Sequence, residues 1–154
     1  MIIFKKVKVF LLLIFVLANI FYIAPCYSST LREDLFNNAL DLTSGGNFNL
    51  ALQEWNSYLD SYPNDAAGLS NRGNVRLVIG DAEGSIDDQN KSISLNPNEI
   101  DPYINRGIAE EALGLWSQAK KDYMFVISRD SKNFSALYNL ANVEGSTSRW
   151  EKAR

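Results

Sequence analysis

The chain is predicted to be all-α, an α-solenoid of antiparallel helix pairs behind a cleavable leader. Three observations predict it. Pro63 and Pro97 stand 34 residues apart, and each closes a hydrophobic run, residues 58–62 and 92–96. Counting in the same step from Arg32 gives units 32–65, 66–99 and 100–133 and a partial unit 134–154, whose columns agree without an insertion. Their eighth residue is Ala39, Gly73, Gly107 and Ala141; the fifteenth is Gly46, Gly80, Gly114 and then Ser148; the twentieth is Ala51, Ser85, Ala119 and Ala153. Finally, no segment sustains the apolar–polar alternation of a strand. A fixed period of this length is the signature of a stacked repeat.

The leader comes first. Met1 to Lys8 is basic, Val9 to Ala24 is apolar, and a short polar tail follows to Ser29. This is the layout of a secretory signal peptide over 1–28, with cleavage expected after Cys26 or Ser28. The rival is a membrane anchor over 9–24. Sixteen helical residues reach only about 24 Å, against a hydrocarbon core of about 30 Å, although a thinned bilayer can hold a short helix. The run Ile23-Ala24-Pro25-Cys26 also looks like a bacterial lipoprotein box with Pro25 out of pattern, so lipidation at Cys26 is a second alternative. In each case Cys26 serves targeting. The expected compartment is the periplasm, a thylakoid lumen or the cell envelope.

Helices are then expected near 32–45, 48–61, 66–79, 82–95, 100–113, 116–129 and 134–147, followed by a stub. Gly46, Gly80 and Gly114 sit past the last apolar residue of each first helix, where a left-handed cap is wanted. Asn47 and Asp81 are placed to cap the second helices. Pro63 and Pro97 end those helices because proline supplies no backbone donor. Small residues at the eighth and twentieth places let paired helices approach closely. Trp55, Trp116, Trp150, Tyr123 and Phe125 are expected to be packing residues. In the fourth unit, Trp150 and Ala153 should begin a second helix, leaving Phe134, Leu137, Leu140 and Val143 short of cover. The chain ends at Arg154 inside that helix, which suggests either a truncated reading of a longer product or an open end that binds something.

The segments SNRGNVRLVIGDAEGSIDDQNKSISLNP and INRGIAEEALGLWSQAKKDYMFVIS carry a resemblance to the tetratricopeptide repeat (TPR), which spans residues 32 to 154. With the leader, the chain is similar to TPR proteins of the exported bacterial type. Ser85 and Ser92 replace expected alanines, Gln89 an aromatic, and Ser131 the closing proline. The resemblance implies a concave groove, lined by the first helix of each pair, that holds peptides or segments of other proteins. It also implies roles in assembling membrane or envelope complexes.

The sixth residue of every unit is asparagine: Asn37, Asn71, Asn105 and Asn139. The chain has sixteen asparagines in all, too few to fill one column four times by composition alone. Asparagine is a poor helix former, and its amide both donates and accepts, so a row of them suits an extended peptide backbone. Asn74 and Asn142 fall one turn further along the same face. The competing reading is that these amides only bond a neighbouring helix. At about 0.5–1.5 kcal/mol per hydrogen bond the row supports modest affinity, and pockets must add the rest. Phe36, Ile104 and Tyr138 are the expected pocket residues. Family members that clamp a carboxylate place lysine and arginine in the groove; here the second and fifth places hold no lysine, which points to an apolar or mixed ligand.

Arg72 and Arg106 occupy the seventh place, where the family buries leucine, and Asp88 and Asp122 lie sixteen residues after them. A buried arginine needs a carboxylate because desolvating it alone costs several kcal/mol. Arg72–Asp88 and Arg106–Asp122 are therefore expected as structural ion pairs, with ligand contact the alternative.

Other function classes find little purchase. The chain has no histidine and one cysteine, which removes the commonest general base and metal ligand and any cysteine zinc site. There is no glycine-rich phosphate loop, and the neighbours Glu110–Glu111 and Asp87–Asp88 cannot converge on one atom. No catalysis, metal or cofactor is expected. Without Lys5, Lys6 and Lys8 the net charge of −3 becomes about −6, which argues against nucleic acid. The expected function is a non-catalytic protein-interaction scaffold. The alternative is a homo-oligomerisation module that uses the uncapped last repeat.

Overall fold

Three glycines punctuate the chain. Gly46, Gly80 and Gly114 have φ of 75°, 92° and 73°, and among the described residues no other residue type has positive φ. A Cβ is strained in that region, so these turns need glycine. The structure, a computed structural model, describes the backbone of residues 31–153 and the side chains of 31–146. The expected leader, Cys26, the side chain of Trp150 and Arg154 lie outside the described residues.

The seven described helices are α1 (31–44), α2 (Phe48–Ser61), α3 (Ala66–Val78), α4 (Ala82–Leu95), α5 (Asp101–Ala112), α6 (Trp116–Arg129) and α7 (Phe134–Ala153). The described residues contain no strand. Asp65, Asp81 and Asn133 cap α3, α4 and α7 by accepting from Gly68, Gly84 and Ala136 N–H at 2.7, 2.9 and 3.0 Å. Asn47 does not do so: it stands at the N-cap of α2 but its side chain makes no capping bond.

The chain divides into two compact units, Met1–Asn37 and Asn38–Arg154. In the second, each helix packs on the next in sequence from α2 to α7. In addition α3 touches α5, and α5 touches α7. The first helices of successive repeats thus lie side by side, as nearest-neighbour stacking requires. Trp55 is fully buried and its indole N–H donates to Thr43 Oγ1 at 3.0 Å. Ile104, Ala119, Tyr123, Val126, Ala136 and Val143 form one core cluster, with Trp116 and Leu140 packed against it. Gln89, in the aromatic place, is fully buried and donates to Ser70 O at 3.0 Å, while its Oε1 has no partner.

The fourth unit corrects the sequence reading twice. No turn forms at Ser148, and α7 runs unbroken to Ala153, so the expected second helix does not begin at Trp150. The physical reason is the column itself, because serine lacks the freedom that let glycine reverse the chain in the other three units. Cover is also better than expected. Val143 is buried and Leu140 is half-buried on the core cluster, leaving only Phe134 and Leu137 of the four exposed.

Two ladders tie the repeats together. Arg72 donates from Nε and Nη2 to Asp88 at 2.8 and 2.6 Å, and from Nη1 to Asn56 of the preceding repeat at 3.0 Å. One repeat later, Arg106 donates to Asp122 at 2.7 Å from both Nε and Nη2, and to Asn90 at 2.6 Å. The fork geometry of guanidinium makes each pair bidentate. Both arginines therefore hold the scaffold. The next rung is missing because Leu140 and Met124 occupy the arginine and asparagine places.

Glu110 lies beside the second ladder, buried, 4.0 Å from Arg106 Nε, with Oε2 unpartnered. Burial first, then the charge of Asp122, raise its pKa from 4.5 to about 7, against the opposing pull of Arg106 and Lys121. Because the folded value is the higher one, ionising Glu110 costs folded-state stability. Stability is expected to fall as pH rises from about 4.5 to about 7, by about 3 kcal/mol, and to level off above. Urea titrations across that window check this: Glu110→Gln should remove the slope.

Candidate functional site

The first helices present one face in register. Positions two, five, six and nine of a unit share a helix face by the 3.6-residue period. In α3 these are Ala67, Ser70, Asn71 and Asn74; in α5 Asp101, Ile104, Asn105 and Ile108; in α7 Ser135, Tyr138, Asn139 and Asn142. All but Asn142 line two clefts. One, about 250 Å³, lies between α3 and α5 and includes Asn71, Ser92, Asn96 and Glu99. The other, about 440 Å³, lies between α5 and α7 and includes Ile104, Ile108, Phe134, Tyr138 and Asn139. Asn74, Asp101 and Asn105 border both, so the two clefts form one continuous groove.

The asparagines are placed unequally. Asn71, Asn74 and Asn139 are half-buried in the groove and make no side-chain hydrogen bond among the described residues. Their amides face the clefts with donors and acceptors unspent. Asn105 donates to Ser70 Oγ at 3.4 Å, a long bond between neighbouring repeats. Asn142 is exposed on α7 and borders neither cleft. Asn37 and Phe36 belong to the first compact unit, exposed and half-buried respectively. Of the expected pocket residues, Ile104 is a floor residue shared with the core, 9% exposed, whereas Tyr138 is 59% exposed at the rim.

Phe134 and Asp101 join the groove although the sequence did not mark either as a site residue. Phe134 is 78% exposed and stacks on Tyr138 with ring centroids 6.2 Å apart. Asp101, at the second place of its unit, stands where the two clefts meet. The signal was available, since 101, 104, 105 and 108 follow the helical period. No lysine or arginine lines either cleft.

Comparison with known proteins agrees with this fold. No family model matches the chain. A FAM10 family protein of Arabidopsis thaliana is 29% identical over 117 residues, which are 75% of this chain and 26% of that protein. The chain thus spans about a quarter of that relative's length. Among solved structures, the first TPR domain of Spaghetti (RPAP3), bound to the HSP90 peptide SRMEEVD, superposes with a TM-score of 0.73 at 23% identity, covering 76% of this chain and 93% of that one. The second TPR domain of human RPAP3, in complex with the HSP70 peptide SGPTIEEVD, gives 0.68 at 21% identity, covering 71% and 92%. The Sgt2 TPR domain from Aspergillus fumigatus gives 0.73 at 15% identity, covering 79% and 82%. The stacked helix pairs described here have the tetratricopeptide-repeat fold.

Proposed function

We propose that this chain is a non-catalytic protein-interaction module that holds an extended segment of another protein in the groove of α3, α5 and α7. The observation that carries this reading is the set of half-buried, unbonded amides of Asn71, Asn74 and Asn139 along one continuous groove. A peptide backbone offers one donor and one acceptor per residue, which an amide matches together. Neighbours of the same fold are solved with peptides in place. The basic-then-apolar sequence of residues 1–28, laid out like a signal peptide, supports export of the module, with a role in assembling a membrane or envelope complex. Among the described residues no helix is long and apolar enough to cross a membrane.

Peptides selected from a random library against the full chain provide the test. The double variant Asn71→Ala/Asn105→Ala is expected to weaken the selected peptides about 30-fold, as the loss of two to four hydrogen bonds implies. Unchanged affinity with unchanged thermal stability would reject the groove as the binding surface.

A further inference from the structure

The charge and ring chemistry of the α5–α7 cleft narrows what the groove accepts. Resting on the groove reading above, we propose that the segment held there carries a lysine or arginine, whose cation docks between Asp101 and the Phe134–Tyr138 ring pair. Asp101 is exposed in the first turn of α5 and has neither a hydrogen bond nor an ion pair among the described residues. An unpaired carboxylate at the meeting point of two clefts accepts a charge-assisted bond from an ammonium or guanidinium. Phe134 and Tyr138 stack at an interplanar angle of 16° and are largely exposed on the same cleft. Such ring faces attract cations.

No cation on this surface is placed to pair with an acid. Neither cleft is lined by a basic residue. The arginines of α3 and α5 closest in sequence to the groove residues, Arg72 and Arg106, have Nε, Nη1 and Nη2 committed to Asp88 with Asn56 and to Asp122 with Asn90. Glu99 adds a second carboxylate on the α3–α5 cleft. Outside the leader the chain carries about −6, which steers cationic ligands toward it and repels acidic ones. The groove is thus the electrostatic opposite of one built for a peptide ending in EEVD. The apolar floor, Ile104 and Ile108, receives the stem of the same long side chain.

The test uses three labelled extended peptides that alternate Ser and Leu and differ only in two central residues, Arg, Gln or Glu. Fluorescence anisotropy with the full chain at low salt should show the Arg peptide binding about tenfold tighter than the Gln peptide, and the Glu peptide weakest. D101N should cut the Arg preference from about tenfold to about threefold, the share left to the rings, without changing the Gln peptide. Phe134→Ala, at an exposed position, should cut the preference by about threefold. Equal binding of the Arg and Gln peptides, or an Arg preference undiminished by D101N, overturns the cation site and leaves the groove reading standing. If none of the three binds, both readings fall.

Discussion

Replacing Asp88 by alanine is expected to cost about 3–5 kcal/mol of stability, the largest effect of any single substitution in the ladders. Asp88 is 5% exposed and pairs with two guanidiniums, Arg72 at 2.6 Å and Arg76 at 3.0 Å. Its removal strands both charges in a partly dehydrated interior and cuts the link from α3 to α4. Asp122→Ala should cost somewhat less, about 2–4 kcal/mol, since the carboxylate bonds one arginine only. Removing both partners is the instructive control. R106L/D122L should lose less than D122A alone, because two apolar groups leave no orphan charge. Urea midpoints at constant m-value measure all three. Wild-type stability in the single aspartate variants would mean that the pairs do not hold the repeats together.

Tyr123→Ala is expected to cost about 3–5 kcal/mol, through the cavity left in the core of the third repeat. The ring is fully buried, and its hydroxyl donates to Glu111 at 2.5 Å. It packs against Gly107, where an added Cβ would come within 2.6 Å of Cε1. Gly107→Ala should therefore destabilise by about 1–2 kcal/mol even though alanine is the better helix former. In the Tyr123→Ala background the clash is gone, and the same change should be neutral or stabilising by up to about 1 kcal/mol. A glycine effect identical in both backgrounds would show that helix pairing here does not depend on that close approach.

Particular residues show what was legible in the sequence and what was not. The spacing of Pro63 and Pro97 and the glycine column were enough for the helix pairs, because each residue type does one physical task at one place. The sixteen-residue step from arginine to aspartate likewise points to one carboxylate for each guanidinium. The same step backward reaches Asn56 and Asn90, so the full ladders were on the page as 56–72–88 and 90–106–122. The asparagine rung is less legible than the aspartate one because a neutral amide carries no charge to mark it as a partner of arginine. The continuation of α7 past Ser148 was hidden for another reason: a repeat frame assumes its turn, and the turn depends on glycine. The raised pKa of Glu110 was beyond the sequence altogether, since it depends on burial and on the separation of three charges. Groove residues were half legible. The asparagine column stood out by its identity, whereas Asp101 and Phe134 became visible only once neighbouring helices were set side by side.

Amide chemical-shift mapping of the full chain with a library-selected peptide tests the groove reading most directly. Perturbations should concentrate on α3, α5 and α7, including the side-chain amides of Asn71, Asn74 and Asn139, with the outward faces of α4 and α6 silent. Shifts confined to α4 and α6, with those asparagine amides unmoved, would contradict it.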